Sequence, residues 1–204
     1  MKRYSISWIV FGLVLAAFAL RVYRLDAQSM WWDEIFGVAI GRFPFPEWLL
    51  LVLDNRGNPP GIYFLFSLWT NVGVDAFSVR FLSVLFGALA VALIYRVGKL
   101  LGGKWVGALA AGLLAVSPHH LWYSQEALMY APQIFFALAS SYFFLGILRR
   151  PNWRDTFFYA LTSVTVLYFH YHPFFILAQL VFLILRRRYY ARALNYWLVA
   201  AAIA

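Results

Sequence analysis

Seven apolar runs, each bounded by charge or proline, decide what this chain can fold into. Six are complete, at residues 6–20, 77–97, 105–121, 130–148, 153–169 and 174–185, and a last one begins near residue 193. Each complete run approaches the roughly 20 residues that a helix needs to cross a hydrocarbon core. Open sheets and loops cannot meet lipid there, because their backbone N–H and C=O groups would go unpaired. The pattern therefore predicts an all-α polytopic membrane protein with about seven transmembrane helices. Composition agrees, since charged residues make up 12% of the chain and apolar ones 64%, where soluble domains carry roughly 25% charge. Disorder is excluded by the same apolar content. Cysteine is absent, which removes disulfide frameworks and thiolate metal sites.

The first run follows Met1-Lys2-Arg3, a basic head that could begin a cleaved signal peptide. Arg21, Arg24 and Asp26 occupy the place of a small, neutral cleavage region, so the run reads as an uncleaved first helix. Basic residues then orient the chain. Lys and Arg are enriched in cytoplasmic loops, and they cluster at Lys2-Arg3, at Arg96, Lys99 and Lys104, at Arg149, Arg150 and Arg154, and at Arg186, Arg187, Arg188 and Arg192. This pattern puts the N-terminus inside. It also requires residues 26–80 to lie on the outer face, so the short apolar run 61–74 does not cross. Seven of the 8 acids then share the outer compartment with all 4 histidines, and the net charge of +9 reports orientation rather than nucleic-acid binding.

The first outer loop holds Trp31-Trp32-Asp33-Glu34, then Phe43-Pro44-Phe45-Pro46-Glu47-Trp48, then Asp54-Asn55-Arg56-Gly57-Asn58-Pro59-Pro60. Proline at positions 44, 46, 59 and 60 keeps the short apolar stretches 35–40 and 48–53 from joining. Short interfacial helices with tryptophans at headgroup depth are the expectation. Asp33 and Glu34 suit a helix start, where the dipole favours negative charge, and a carboxylate beside a low-dielectric wall is also a competent general base. The second outer loop runs from Ser117 to Tyr130 and the third holds His170-Tyr171-His172-Pro173. The histidines read as interfacial amphipaths. A His-x-His pair with Glu126 could bind a divalent metal, but no helical His-Glu spacing supports one, so no metal or other cofactor is required.

These motifs resemble the GT-C fold, polyprenyl-phosphate-sugar-dependent glycosyltransferases, the superfamily of protein O-mannosyltransferases and lipid A aminoarabinose transferases. Asp33-Glu34 resembles its acidic signature, and Asn58-Pro59-Pro60-Gly61-Ile62-Tyr63 its Pro-Pro segment. Ala76-Phe77-Ser78-Val79-Arg80-Phe81-Leu82-Ser83 resembles its next helix start. Trp122-Tyr123-Ser124-Gln125-Glu126-Ala127-Leu128-Met129-Tyr130 is similar to a bacterial mannosyltransferase-like branch, with Leu128 where that branch has Arg, and Tyr168-Phe169-His170-Tyr171 to its later turn. The resemblance implies one membrane-embedded catalytic module over residues 1–204, multi-pass in the plasma membrane. It also implies inverting transfer of a sugar from a polyprenyl-phosphate donor to a lipid, glycan or protein acceptor at the outer face. Asp33 is the implied base. Glu34, Arg56, Asn58, Tyr123, Gln125, Glu126, Tyr130, His170 and His172 are the implied substrate-binding residues. The competing expectation is a non-catalytic polyprenyl-lipid-binding or transport protein of the same fold. The chain ends on Ala200-Ala201-Ala202-Ile203-Ala204 within an apolar run, and reads as the N-terminal part of a longer transferase.

Overall fold

The computed structural model describes residues 5–54, 59–170 and 174–203, and within them every regular element is a helix. The helices are α1 (Ser5–Val22), α2 (Trp32–Gly41), α3 (Glu47–Asp54), α4 (Gly61–Trp69), α5 (Ala76–Gly102), α6 (Lys104–Val116), α7 (Pro118–Ser124), α8 (Tyr130–Arg149), α9 (Trp153–Phe169), α10 (Phe174–Leu185) and α11 (Arg187–Ile203). Two of them, α5 and α8, are by length and composition long and apolar enough to cross a membrane, while α1, α6 and α10 are shorter apolar helices. The helices of the apolar runs thus follow the sequence, without establishing seven crossings. The run 105–121 is an exception: α6 stops at Val116, and Ser117 caps a new helix with Pro118 at its first position. Proline suits that position because its missing N–H would have no helical partner there.

Local chemistry sets the remaining ends. Asp75 caps α5 by accepting the Ser78 amide at 3.1 Å, and Asn152 caps α9 by accepting the Asp155 amide at 2.9 Å. Gly103, at φ +88, ends α5 in a backbone region that only glycine enters cheaply, and turns the chain directly into α6. Helix α5 is the central one: α1, α6 and α8 all pack on it, α1 also meets α6, and α9 packs on the other side of α8. Buried polar groups further along the bundle are paired: Tyr159 Oη donates to Gln179 Oε1 at 2.6 Å and accepts from Trp197 Nε1 at 2.7 Å, joining α9, α10 and α11.

The three expected interfacial segments form α2, α3 and α4. At nine residues α4 rises only about 14 Å, which is half a hydrocarbon core. Their apolar faces pack together and onto α5 and α9 through Val38, Trp48, Ile62, Phe66, Val79 and Phe169. Glycine makes the closest approach. A Cβ at Gly61 would lie 2.5 Å from the Tyr168 carbonyl oxygen, a rigid backbone atom. Gly61→Ala is therefore expected to push α4 off α9 and cost about 1–3 kcal/mol, measurable as a lowered thermal midpoint of the detergent-solubilised protein. An unchanged midpoint would show that α4 is not seated on α9 this way.

Candidate active site at the end of the bundle

Polar residues gather where the C-terminus of α1, the N-terminus of α5, α7 and the start of α8 meet α2 and α4. Asp33 and Glu34 stand side by side in the first turn of α2, and their neighbours give them opposite surroundings. Glu34 has no exposed surface. Its Oε2 accepts the Trp31 amide at 2.8 Å and Arg80 Nη2 at 2.7 Å; its Oε1 accepts Arg80 Nε at 2.9 Å and the Ala127 amide at 2.7 Å. The Trp31 contact is the carboxylate half of a capping box. Burial opposes ionisation of Glu34, but the Arg80 guanidinium and the Ala127 and Trp31 amides outweigh it and hold the carboxyl below its ordinary range.

Arg80, 3% exposed, completes the junction. Besides Glu34 it donates to the carbonyls of Leu25 and Gln28 through Nη1, at 3.0 and 2.9 Å, and of Ser29 through Nη2, at 3.1 Å. All five guanidinium N–H groups are thereby used. One ion pair ties α5, the loop after α1, the first turn of α2 and the segment before α8 into a single unit. The side chain that was expected to meet substrate is, with both oxygens engaged and no surface, a strut for the residue beside it.

Asp33 is exposed. It lines a cavity of about 280 Å³ with Phe36, Gly37, Tyr63, Phe66, Leu128 and Tyr130, among others. The cavity is thus walled by α2, α4 and the 127–130 segment, and Glu34 ties the first and last of these together. Tyr130 and Tyr123 pack with their rings tilted at 52° and centroids 4.3 Å apart, and Tyr123 meets His119 edge-on at 4.7 Å. Tyr130 therefore joins Asp33, whereas Tyr123 supports it from behind. Gln125 spends its amide N–H groups on the carbonyls of Arg21 and Tyr23, at 3.1 and 3.0 Å, which pins the end of α1. Glu126 lines a separate cavity with Gln125; burial and the charge of Glu34 push its carboxyl upward. His170 is half-buried at the C-cap of α9. Arg56, Asn58 and His172 lie outside the described residues. Among the described residues, no three histidine or acidic side chains converge on one point.

Two features were missed by sequence reasoning. Arg80 read only as an outer-face cation, and so did Arg21, which is fully buried. Arg21 donates through Nη1 to the carbonyls of Ala17 at 2.8 Å and Ala115 at 3.2 Å, and through Nη2 to Leu114 at 3.3 Å and His120 Nδ1 at 2.6 Å. The Leu114 and Ala115 carbonyls lie in the last turn of α6, where carbonyls run short of helical partners; Leu114 otherwise accepts only the Ser117 amide at 3.4 Å, so the guanidinium caps that helix. For Arg21 the signal was present: a lone Arg in the terminal turn of an apolar helix needs a partner in the protein. His120, expected at the interface with His119, is 3% exposed.

Because its Nδ1 accepts from Arg21, His120 is neutral. Burial first, then the Arg21 guanidinium and His119, push its pKa down from 6.5 to about 4. The folded state thus binds fewer protons than the unfolded state between these values, and stability must fall as pH drops from about 6.5 toward 4. His120→Gln keeps an acceptor for Arg21 and is expected to flatten that decline. Thermal midpoints of both proteins across the window check this; parallel slopes would place the acid sensitivity elsewhere.

The molecule is thus a helical integral membrane protein whose polar chemistry is collected at one end of its bundle. Residues 57–204 match the dolichyl-phosphate-mannose-protein mannosyltransferase family, and the chain belongs to it. This is a family of membrane glycosyltransferases that use lipid-phosphate-linked sugars. The match begins after Asp33 and Glu34, so their role rests on geometry. No curated protein matches the chain.

Proposed function

We propose that the protein is an inverting glycosyltransferase that moves a sugar from a polyprenyl phosphate to an acceptor hydroxyl at the outer face of the plasma membrane. The observation that carries this reading is Asp33: an exposed carboxylate lining a cavity two of whose walls, α2 and the 127–130 segment, are tied together by its buried neighbour. As the acceptor oxygen bonds to the anomeric carbon, the bond from that carbon to the phosphate oxygen breaks, and Asp33 takes the hydroxyl proton. The transition state is oxocarbenium-like, so the same negative charge stabilises it. The departing lipid phosphate calls for donors; Arg56, Asn58, His170 and His172 are the proposed ones, and Tyr130, which lines the Asp33 cavity, is the proposed sugar contact.

The two sides of α4 support a lipid-linked donor. Ile62, Tyr63 and Phe66 line the Asp33 cavity, whereas Gly61, Phe64 and Leu65 line an almost wholly apolar groove of about 380 Å³ with Trp48, Leu49, Phe136 and Tyr168. A sugar on one side and an isoprenoid chain on the other would keep each part of the donor in its own medium. Nanodiscs holding the protein, supplied with polyprenyl-phosphate-linked sugars and outer-membrane or envelope extracts, test the reading by mass spectrometry. Loss of the lipid-linked sugar with gain of one sugar mass on an acceptor is expected. Binding of the lipid without turnover of any donor would instead make the protein a lipid carrier.

A further inference from the structure

A second cavity, of about 420 Å³, adjoins the Glu34–Arg80 bridge, with Arg80 in its lining and Asp33 outside it. Trp31 lines this cavity and Asp33 the other, two residues apart; Glu126 lines this one and Ala127 the other. Its walls come from the loop after α1 and from α7, with Tyr23, Arg24, Gln28, Trp31, Trp122 and Glu126 supplying the chemistry. Neither Arg80 nor the Gln125 amide nitrogen has a donor to spare, since backbone carbonyls and Glu34 take them all. They form a fixed floor.

What faces the space above that floor is mixed. Tyr23, Trp31 and Trp122 are exposed aromatic rings, Arg24 and Gln28 offer donors, and Gln28, Gln125 and Glu126 offer acceptors. Arg24 sits at φ 55, a left-handed conformation uncommon for any residue but glycine, and such conformations concentrate where a site dictates backbone geometry. An isoprenoid chain would leave these polar groups unpaired. An anion would meet Glu126. A neutral, hydroxyl-rich ring presents C–H faces to aromatic rings and alternating donors and acceptors to the amides and charges, and it satisfies all of them.

We propose that this cavity is a saccharide-binding subsite. That it holds the acceptor, delivering a hydroxyl past the bridge toward Asp33, rests on the transferase reading above; that it binds a sugar does not. The full chain in nanodiscs, free of sugar-headed detergents, is titrated with methyl α-mannoside, methyl β-galactoside and methyl β-glucoside, read by saturation-transfer NMR and tryptophan fluorescence. At least one glycoside is expected to bind, and Trp122→Ala and Gln28→Ala, both at exposed positions, are each expected to weaken it at least 10-fold. Asp33→Asn should leave this binding intact. The proposal is overturned if none of the three binds, if binding survives both substitutions, or if inorganic phosphate displaces the glycoside. Lost turnover in Asp33→Asn alongside absent glycoside binding would sink the subsite alone. Normal turnover in Asp33→Asn with glycoside binding intact would sink the base assignment alone.

Discussion

Glu34→Ala is expected to destabilise the protein by about 3–5 kcal/mol, the cost of leaving a buried charge without its partner. Arg80 would keep its three carbonyl contacts but lose the two bonds to Glu34 and its neutralising charge. The Trp31 and Ala127 amides would lose their acceptor as well. Glu34→Gln retains the shape and one acceptor oxygen, so a smaller loss is expected. Arg80→Lys should also be poorly tolerated, because an ammonium offers three donors from one point and cannot match a five-donor fork. Thermal unfolding in detergent and protease sensitivity of the segment between α7 and α8 measure these effects. Near-native stability of Glu34→Ala would show that the bridge does not hold the site together. The pH dependence has a definite sign. A carboxyl held below its ordinary range contributes stability that is full at neutral pH and disappears as pH falls through its folded-state pKa. This loss starts at more acidic pH than the one assigned to His120.

Asp33→Asn is expected to do the reverse: near-native stability with sugar transfer reduced by about 10²–10⁴-fold, the range for a lost general base. The residue is exposed, and substitutions at such positions usually change stability by within about 0.5 kcal/mol. Asparagine keeps its size and removes only proton-accepting capacity and charge. Transfer from a polyprenyl-phosphate-linked sugar, compared at equal amounts of folded protein, is the measurement. Turnover at the parent rate would remove Asp33 from the chemistry. The two adjacent carboxylates are thus expected to separate into one whose loss unfolds the site and one whose loss silences it. Neither experiment alone makes that distinction, because an unfolded site is also inactive.

Much of this could be read from the chain. The apolar runs became helices near their expected places, because hydrophobicity at that density has few other outcomes. The prolines at 44, 46, 59 and 60 separated α2, α3 and α4 as expected, and the shortness of run 61–74 matched a nine-residue α4. Asp33-Glu34 stood out as an acidic pair beside tryptophans. The division of labour within that pair was not legible, since it depends on Arg80, 46 residues further on, and on the Ala127 amide, 93 residues away. The second outer loop was expected to present Tyr123, Gln125, Glu126 and Tyr130 together. Its folding into α7 instead sends Tyr130 to the Asp33 cavity, Gln125 to the end of α1, and Glu126 to the separate cavity beside Arg80.

Sequence alone therefore determined the medium, the helical class and the residue types on offer, because these follow from local composition and from the cost of an unpaired backbone in lipid. Only the tertiary structure decided which charges are consumed in holding the fold and which remain for a substrate. Arg21, Arg80, Glu34 and His120 look like outer-face polar residues until the helices pack. Burial then forces each to find a partner within about 3 Å, and partners at that range come from distant parts of the chain. Asp33 keeps its freedom because α2 turns it away from that core.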